Sequence, residues 1–324
     1  MNKHGQVLGD SHCHIGIECN SNDIIRLAEK IGEIGTKLRF FHIMTTFYKD
    51  VELLDLLLDT LPSKSVIVPY YGVHPWYSHL YTFENYENML DFDIKLNHYS
   101  QVLQPHPSNE LLDILPIPMN IYKQLEVYEK LIEKHDIAYG IGEIGLDKLF
   151  KIPKTGFFGN KLIDAQGLTQ YKTSLSHQQL IFQCQLQFAN DLQKHVSLHC
   201  VKTHGKLYEI MVNYPKIPKL ILHSFSGSIE QARLWCKTYK SRVMFSFSNY
   251  INGQKMEDLI KLINHLSNDQ ILVETDYPVD QYLLKTPDIY WSDLFEIWSK
   301  IYKVKLEQIL ELDIEDNINR SIGV

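Results

Sequence analysis

No run of apolar residues in this sequence reaches the roughly 18 needed to cross a bilayer as a helix. The opening residues, Met1-Asn2-Lys3-His4-Gly5-Gln6, lead into a strand-like segment without an apolar signal region, so an intracellular, soluble protein with no membrane contact is expected. Cysteine is scarce. Cys13, Cys19, Cys184, Cys200 and Cys236 are odd in number, scattered and without a Cys-x-x-Cys pair, which excludes a disulfide framework or zinc ribbon and fits a reducing compartment. Positive charge is in deficit: 32 basic against 39 acidic side chains leave a net charge of -7. That excludes a general electrostatic grip on nucleic acid or anionic lipid, so any phosphate chemistry must be local. No basic cluster of the nuclear-import kind separates cytoplasm from nucleus. Tandem repeats, low-complexity tracts and linkers are also missing, and one domain spanning residues 1–324 is the simplest reading.

What is present is an ordinary globular composition, with 44% hydrophobic and 22% charged residues over 324 positions. Short apolar runs alternate with longer amphipathic ones. Eight strands are expected, at Val7–His12, Leu38–Met44, Val66–Val73, Ile137–Glu143, His195–His199, Lys219–His223, Arg242–Phe247 and Ile271–Asp276. Helical spacing of apolar residues marks Asn22–Gly35, Lys49–Leu61, Asn120–His135, Ser174–Lys194, His204–Asn213, Ser228–Tyr239, Gln254–Leu266 and Ser292–Tyr302. This alternation predicts an α/β protein, a (β/α)8 TIM barrel, with a doubly wound open sheet as the alternative. Residues 75–118, with Pro105, Pro107, Pro116 and Pro118, and residues 146–173, with Gly156, Gly159 and Gly167, break the pattern. Both read as long loop insertions at the carboxyl-terminal mouth, where barrels build their active sites.

Chemistry collects at the ends of the expected strands. His12 and His14 are two apart on a strand and so point the same way, while Cys13 points to the opposite face. Glu143, His199, His223 and Asp276 close four further apolar runs, and burial of such groups without partners would be costly. Imidazole and carboxylate ligands suit zinc, manganese or a related divalent ion, and six exceed the needs of one tetrahedral site, so two ions are expected. His74, after the third strand, could donate a hydrogen bond to a phosphate oxygen or simply brace the turn at Pro75. Asp10 and Glu274 precede His12 and Asp276 by two residues and read as deeper carboxylates that orient ligating histidines, or else as hydrogen-bonded core groups. Cys13 and Cys200 alternate outward and read as packing thiols. The aromatic residues Trp76, Tyr77, Tyr81, Phe83 and Tyr86 could stack bases at the mouth or form the core of the first insertion.

Five segments occur in order: Asp10-Ser-His-Cys-His14, Gly140-Ile-Gly-Glu-Ile-Gly-Leu-Asp147, Ser197-Leu-His-Cys200, Leu222-His-Ser-Phe-Ser-Gly-Ser228 and Val273-Glu-Thr-Asp276. Together with Gly72-Val-His-Pro75 they resemble the TatD family of metal-dependent deoxyribonucleases over nearly the whole chain. The resemblance implies an amidohydrolase-like barrel with two divalent ions (Mg, Mn or Zn) as cofactors. It places His12 and His14 on one ion, His199 and His223 on the other, Glu143 between them, and Asp276 on the first beside the attacking water. Glu143 and Asp276 would be catalytic. His204 falls where the family often has a histidine, which makes it a candidate substrate contact beside His74. Two departures bear on substrate: Asp147 is followed by Lys148-Leu149-Phe150 and the long insertion, and Tyr277 stands where the family commonly has a small residue, implying a pocket that is narrower or differently lined.

The expected activity is phosphodiester hydrolysis, as an exonuclease on DNA ends or short nucleic acid, since a barrel mouth admits a strand end more easily than a continuous duplex. The alternatives are a metal-dependent hydrolase of another small ester, amide or phosphodiester, and an interaction protein that binds a macromolecule through an insertion, with catalysis secondary. Nothing in the sequence itself indicates a protein partner.

Overall fold

Each segment read as a strand is too apolar to stay in water, and in the computed structural model, which describes residues 9–34 and 41–306, eight strands lie side by side in chain order. They are β1 (Asp10–His14), β2 (Phe41–Met44), β3 (Ile67–Tyr71), β4 (Gly140–Asp147), β5 (Val196–Val201), β6 (Leu220–Leu222), β7 (Val243–Ser248) and β8 (Ile271–Glu274). Every neighbouring pair is parallel. Past the end of β8 the Asp276 N–H donates to the His12 carbonyl and the His14 N–H to the Tyr277 carbonyl, both at 2.9 Å. These bonds join last strand to first, so the sheet closes as a (β/α)8 barrel rather than an open doubly wound sheet.

The helices are α1 (Ser21–Ile34), α2 (Tyr48–Thr60), α3 (Asp91–Val102), α4 (Asn109–Ile114), α5 (Ile121–His135), α6 (Leu175–Asp191), α7 (His204–Met211), α8 (Ile229–Tyr239), α9 (Met256–Ile263), α10 (Val279–Lys285) and α11 (Pro287–Leu306). Their starts are chemically marked. Asn120 accepts from the N–H groups of Tyr122 and Lys123 at α5, and Ser228 and Gln231 form a reciprocal capping box at α8. The outer faces of the strands pack on the helices: Phe41 and Ile43 of β2 are buried with Leu27 of α1 and Leu54, Leu57 and Leu58 of α2. Each such side chain contributes about 1.5–3 kcal/mol of apolar burial.

Several expected boundaries move. Val7, Leu8, Gly35 and Leu38 to Phe40 lie outside the described residues. The fourth strand begins at Gly140 rather than Ile137 and runs on to Asp147, so Glu143 lies inside the strand and not at its end. Its Gly140, Gly142 and Gly145 blur the alternation on which a strand reading depends. β6 stops one residue before His223 and β8 two before Asp276. Helix α10 was not expected, and α11 extends beyond the anticipated Ser292–Tyr302 at both ends.

The first insertion is not the long loop its prolines suggest, because it holds α3 and α4. Pro105 and Pro107 lie between these helices and Pro116 and Pro118 follow them, so the prolines punctuate helices instead of breaking them. In α3 only Ile94, His98, Tyr99 and Val102 are buried, a stripe with too much polar content to read as a helical face. The second insertion is largely irregular, as expected, and is held by a bridge between Pro153 and Leu168. Lys172–Thr173 pairs antiparallel with Leu103–Gln104, tying the two insertions together over a shared core that includes Tyr99, Leu112, Ile152 and Phe157.

Candidate metal centre

Two β-bulges aim the central side chains. The β1 pairing slips between Asp10 and Cys13, and the β4 pairing slips between Ile141 and Ile144, placing Glu143 within the irregular stretch. Bulges of this kind re-aim side chains next to active sites. His12, His14, Glu143, His199, His223 and Asp276, nominated separately from the strand ends, meet inside the barrel. One Glu143 oxygen, Oε2, lies 3.2 Å from Nε2 of His12 and 3.2 Å from Nε2 of His14. The other, Oε1, lies 2.6 Å from His199 Nδ1, 2.7 Å from His223 Nε2 and 3.3 Å from His74 Nε2. Asp276 joins the first group, its Oδ1 being 3.4 Å from His14 Nε2 and 3.8 Å from His12 Nε2.

The donor set fits divalent cations. His12 Nε2 and His14 Nε2 face each other at 3.1 Å, and His74 Nε2 faces His199 Nδ1 at 3.1 Å. Ring nitrogens that converge on each other and on one carboxylate have more lone pairs than protons can satisfy, and a shared cation resolves that conflict. His12–His14–Asp276 and His74–Glu143–His199 each bring three ligand-type atoms within 4.8 Å of one another. The site is enclosed: Glu143 is 2% exposed and His12 fully buried.

Behind these groups stand supporting partners. Ser197 Oγ lies 3.0 Å from His12 Nδ1, which leaves Nε2 for the centre. Asp147 Oδ2 lies 3.5 Å from His199 Nε2 and accepts from the Trp76 indole at 2.8 Å. The Glu274 carboxylate lies 3.5 Å from His223 Nδ1 and accepts from the Ser224 N–H at 2.7 Å and hydroxyl at 2.6 Å. Sequence reasoning left Ser197 and Asp147 unassigned. The signal for Ser197 was its place two residues before His199, on the same strand face.

Asp10 sits differently from the alternation argument, because the β1 bulge interrupts the two-residue period. Its carboxylate accepts from the Thr275 N–H and hydroxyl, from the Tyr290 hydroxyl of α11 and from the main-chain N–H of His12, with no contact to an imidazole. His74 accepts from the Trp76 N–H at Nδ1, so its neutral ring carries the proton on Nε2, the atom facing the centre. His204 lies outside the central cavity, with Nδ1 3.3 Å from the Cys200 thiol. Cys13 packs outward as expected, whereas Cys200 lines the cavity. Tyr277 does not narrow the pocket. Its ring stacks on Tyr282 at 4.1 Å and its hydroxyl donates to Asp293, away from the cavity. Of the aromatic cluster, Trp76 and Tyr77 line the cavity, while Tyr81 is buried in the insertion core.

The electrostatics follow the same division. Burial opposes charge on Glu143, yet the imidazoles of His223, His74, His12 and His199 hold its carboxyl well below the usual range. Burial, reinforced by His223, pushes the His12 imidazole down, and burial takes His74 down to about 4, so both rings are neutral near pH 7. Burial also disfavours charge on His14, but hydrogen bonds to Asp276 and Glu143 more than offset it and carry its pKa up to about 10. Above the centre opens a cavity of about 520 Å³ whose walls include Trp76, Tyr77, Tyr250 and Ile251.

A family model described as TatD related DNase matches residues 9–318, in keeping with this barrel and its ring of histidines and carboxylates. The chain belongs to the TatD-related DNase family. An uncharacterized deoxyribonuclease of Saccharomyces cerevisiae is 35% identical over 289 residues, covering 86% of this chain and 85% of its own. The Cut9-interacting protein scn1 of Schizosaccharomyces pombe is 27% identical over 302 residues, covering 83% and 86%. Among solved structures, the TatD homologue YjjV of Escherichia coli superposes with a TM-score of 0.56 at 17% identity, covering 98% of each chain, a likeness of fold. TatD-family membership makes this chain a metal-dependent hydrolase.

Proposed function

We propose that this chain is a divalent-metal-dependent deoxyribonuclease that hydrolyses phosphodiester bonds at DNA ends or in short strands. The observation that carries this reading is the Glu143 carboxylate, set with one oxygen toward His12 and His14 and the other toward His199 and His223. Two divalent ions, magnesium, manganese or zinc, held by His12, His14 and Asp276 on one side and His199 and His223 on the other with Glu143 between, would lower the pKa of a water and neutralise charge on phosphate and leaving oxygen. The chain's own groups do the rest. Asp276, a quarter exposed at the cavity wall, accepts a hydrogen bond from the attacking water and takes its proton. His74, neutral and protonated at Nε2, donates to a phosphate oxygen. Ser197, Asp147 and Glu274 hold His12, His199 and His223 in orientation.

An acidic chain with a walled cavity favours strand ends over long duplexes. Equal amounts of closed circular and linearised DNA, incubated with the protein and magnesium, manganese or zinc, test this. The linear form should shorten from its termini while the circle persists. Rapid internal cutting of the circle would overturn the preference for ends, and no hydrolysis of either DNA with any of the three metals would overturn the nuclease reading. The small-ester alternative keeps the support of the acidic composition but loses that of Tyr277, which turns away from the cavity.

The Schizosaccharomyces pombe relative is a Cut9-interacting protein, which supports a second, compatible role in binding a protein partner that stable co-purification from cells would test. Five free cysteines support a reducing compartment, cytoplasmic or nuclear, to be checked by fractionation. Among the described residues no helix is long and apolar enough to cross a membrane.

A further inference from the structure

Beside the central cavity lies a second cleft of about 570 Å³, over the ends of β4, β5 and β6. Lys148, Lys202, Lys206, His204, Gly205 and Ser226 line it, and its lining contains no carboxylate. In a chain of net charge -7 this is a local reversal of sign. The cleft adjoins the central cavity, since Val201 and Ser226 line both. Among the described residues no carboxylate lies in ion-pair range of Lys148 or Lys202, while Lys206 meets only Glu209, at 3.6 Å on the exposed surface of α7. Such an exposed pair contributes little and yields readily to another anion.

Two further features suit phosphate. The first turn of α7 opens into the cleft, and Thr203, which precedes it, turns its hydroxyl to the Leu146 carbonyl at 3.1 Å instead of capping the helix, so the first-turn N–H groups are left for a ligand. There is also room. A Cβ added at Gly205 would meet nothing within 4 Å. The cleft on the other side of Ser226 differs, because Lys255 and Lys261 there are mixed with Glu230 and Asp258.

We infer that the lysine cleft is the track for the sugar-phosphate backbone of the single strand whose end lies at the metal centre. Lys148, Lys202, Lys206 and the first turn of α7 hold the phosphates next beyond the one being hydrolysed. The inference rests on the deoxyribonuclease reading for its substrate, and it explains how an acidic protein retains a strand with only a few phosphate contacts.

The test is binding of a fluorescein-labelled single-stranded DNA of about 12 nucleotides, followed by anisotropy with chelator present over a range of salt. The full chain is compared with Lys148→Ala/Lys202→Ala, with Gly205→Asp, and with Lys255→Ala as control. Gly205→Asp adds a carboxylate to open space at a helix start, where the dipole favours it, so the fold is spared while the charge of the cleft is reversed. The double lysine variant should bind about tenfold more weakly, with a salt slope shallower by about 1.4, or about 0.7 for each lost contact to a single strand. Gly205→Asp should weaken binding to a similar degree with unchanged melting temperature. Lys255→Ala should do neither, and hydrolysis of bis(4-nitrophenyl) phosphate with manganese should be the same in all four proteins. Unchanged affinity and slope in both cleft variants, or no oligonucleotide binding by the parent chain, would overturn the track. Parent protein that binds the strand through these residues yet hydrolyses neither substrate would instead overturn the nuclease reading and leave the track standing.

Discussion

A carboxylate offers two oxygens, and at Glu143 they face different histidine groups, so this one side chain joins the two halves of the centre. Glu143→Gln keeps the shape but replaces an acceptor by a donor and removes the charge. Hydrolysis should fall by several kcal/mol of transition-state stabilisation, three orders of magnitude or more at about 1.4 kcal/mol per tenfold, with circular dichroism unchanged. Full metal content together with parental turnover would rule out the bridging assignment. The same geometry sets a pH dependence. The pKa of His14 is raised from its ordinary 6.5 to about 10 by Asp276 and Glu143 working against burial, and those of His199 and His223 are raised as well. Near neutral pH His14 and His223 hold protons that a cation must displace. Apparent metal affinity should therefore rise with pH toward about 10, and binding should release protons, which calorimetry in buffers of different ionisation enthalpy detects. The sign reverses for the metal-free protein. A raised His14 pKa gives stability that is fully present below 6.5 and is lost as pH rises through about 10.

At the scale of elements, β4 is shaped by what it must pass. Gly145 pairs with His199 across β4 and β5, and an added Cβ would lie 2.0 Å from the His199 carbonyl oxygen, at a φ of 153° that side chains rarely adopt. Gly145→Ala is expected to destabilise the barrel by more than about 2 kcal/mol, because either the backbone or the ladder must yield. It should also move His199 away from Glu143, so thermal melting and metal stoichiometry fall together. A variant with parental melting temperature and full metal content would contradict this account of the strand. The aromatic wall arises in the same way from separate elements: Trp76, after β3, stacks on Phe150 of the second insertion at 5.0 Å and holds Asp147 with its indole.

For the whole molecule, a centre built from β1, β4, β5 and the segments after β3, β6 and β8 exists only when the barrel is closed. Metal should therefore bind the folded chain and not the unfolded one, raising the melting temperature with metal concentration. At 100-fold above the dissociation constant the gain is about 2.7 kcal/mol. Scanning calorimetry across a metal titration, with chelator as baseline, measures it. A melting temperature that ignores metal would mean that the histidine ring does not bind cations in the folded state. The insertions also belong to this scale, since neither closes its core alone: Tyr99 and Leu112 of the first pack with Ile152 and Phe157 of the second.

The sequence by itself determined the strand-helix alternation and the six central residues, because both are written in local periods: apolar runs that alternate with helices, and ionisable groups at His12, His14, Glu143, His199, His223 and Asp276 that close or adjoin those runs. It also contained the residues of α3, but not their helical form, since the stripe of Ile94, His98, Tyr99 and Val102 is too polar to read as a helical face, and Tyr99 and Val102 join a core only together with Ile152 and Phe157 of the second insertion. Only tertiary structure decided which Glu143 oxygen meets which imidazole, that Asp10 turns to Thr275 and Tyr290, that Tyr277 leaves the pocket, and that Lys148 and Lys202 share one cleft. The reason is physical. A two-residue or 3.6-residue period predicts a face only while the backbone stays regular, and at β1 and β4 bulges break the period where the site is made. Contacts between strands far apart in sequence then depend on barrel closure, which no local pattern encodes.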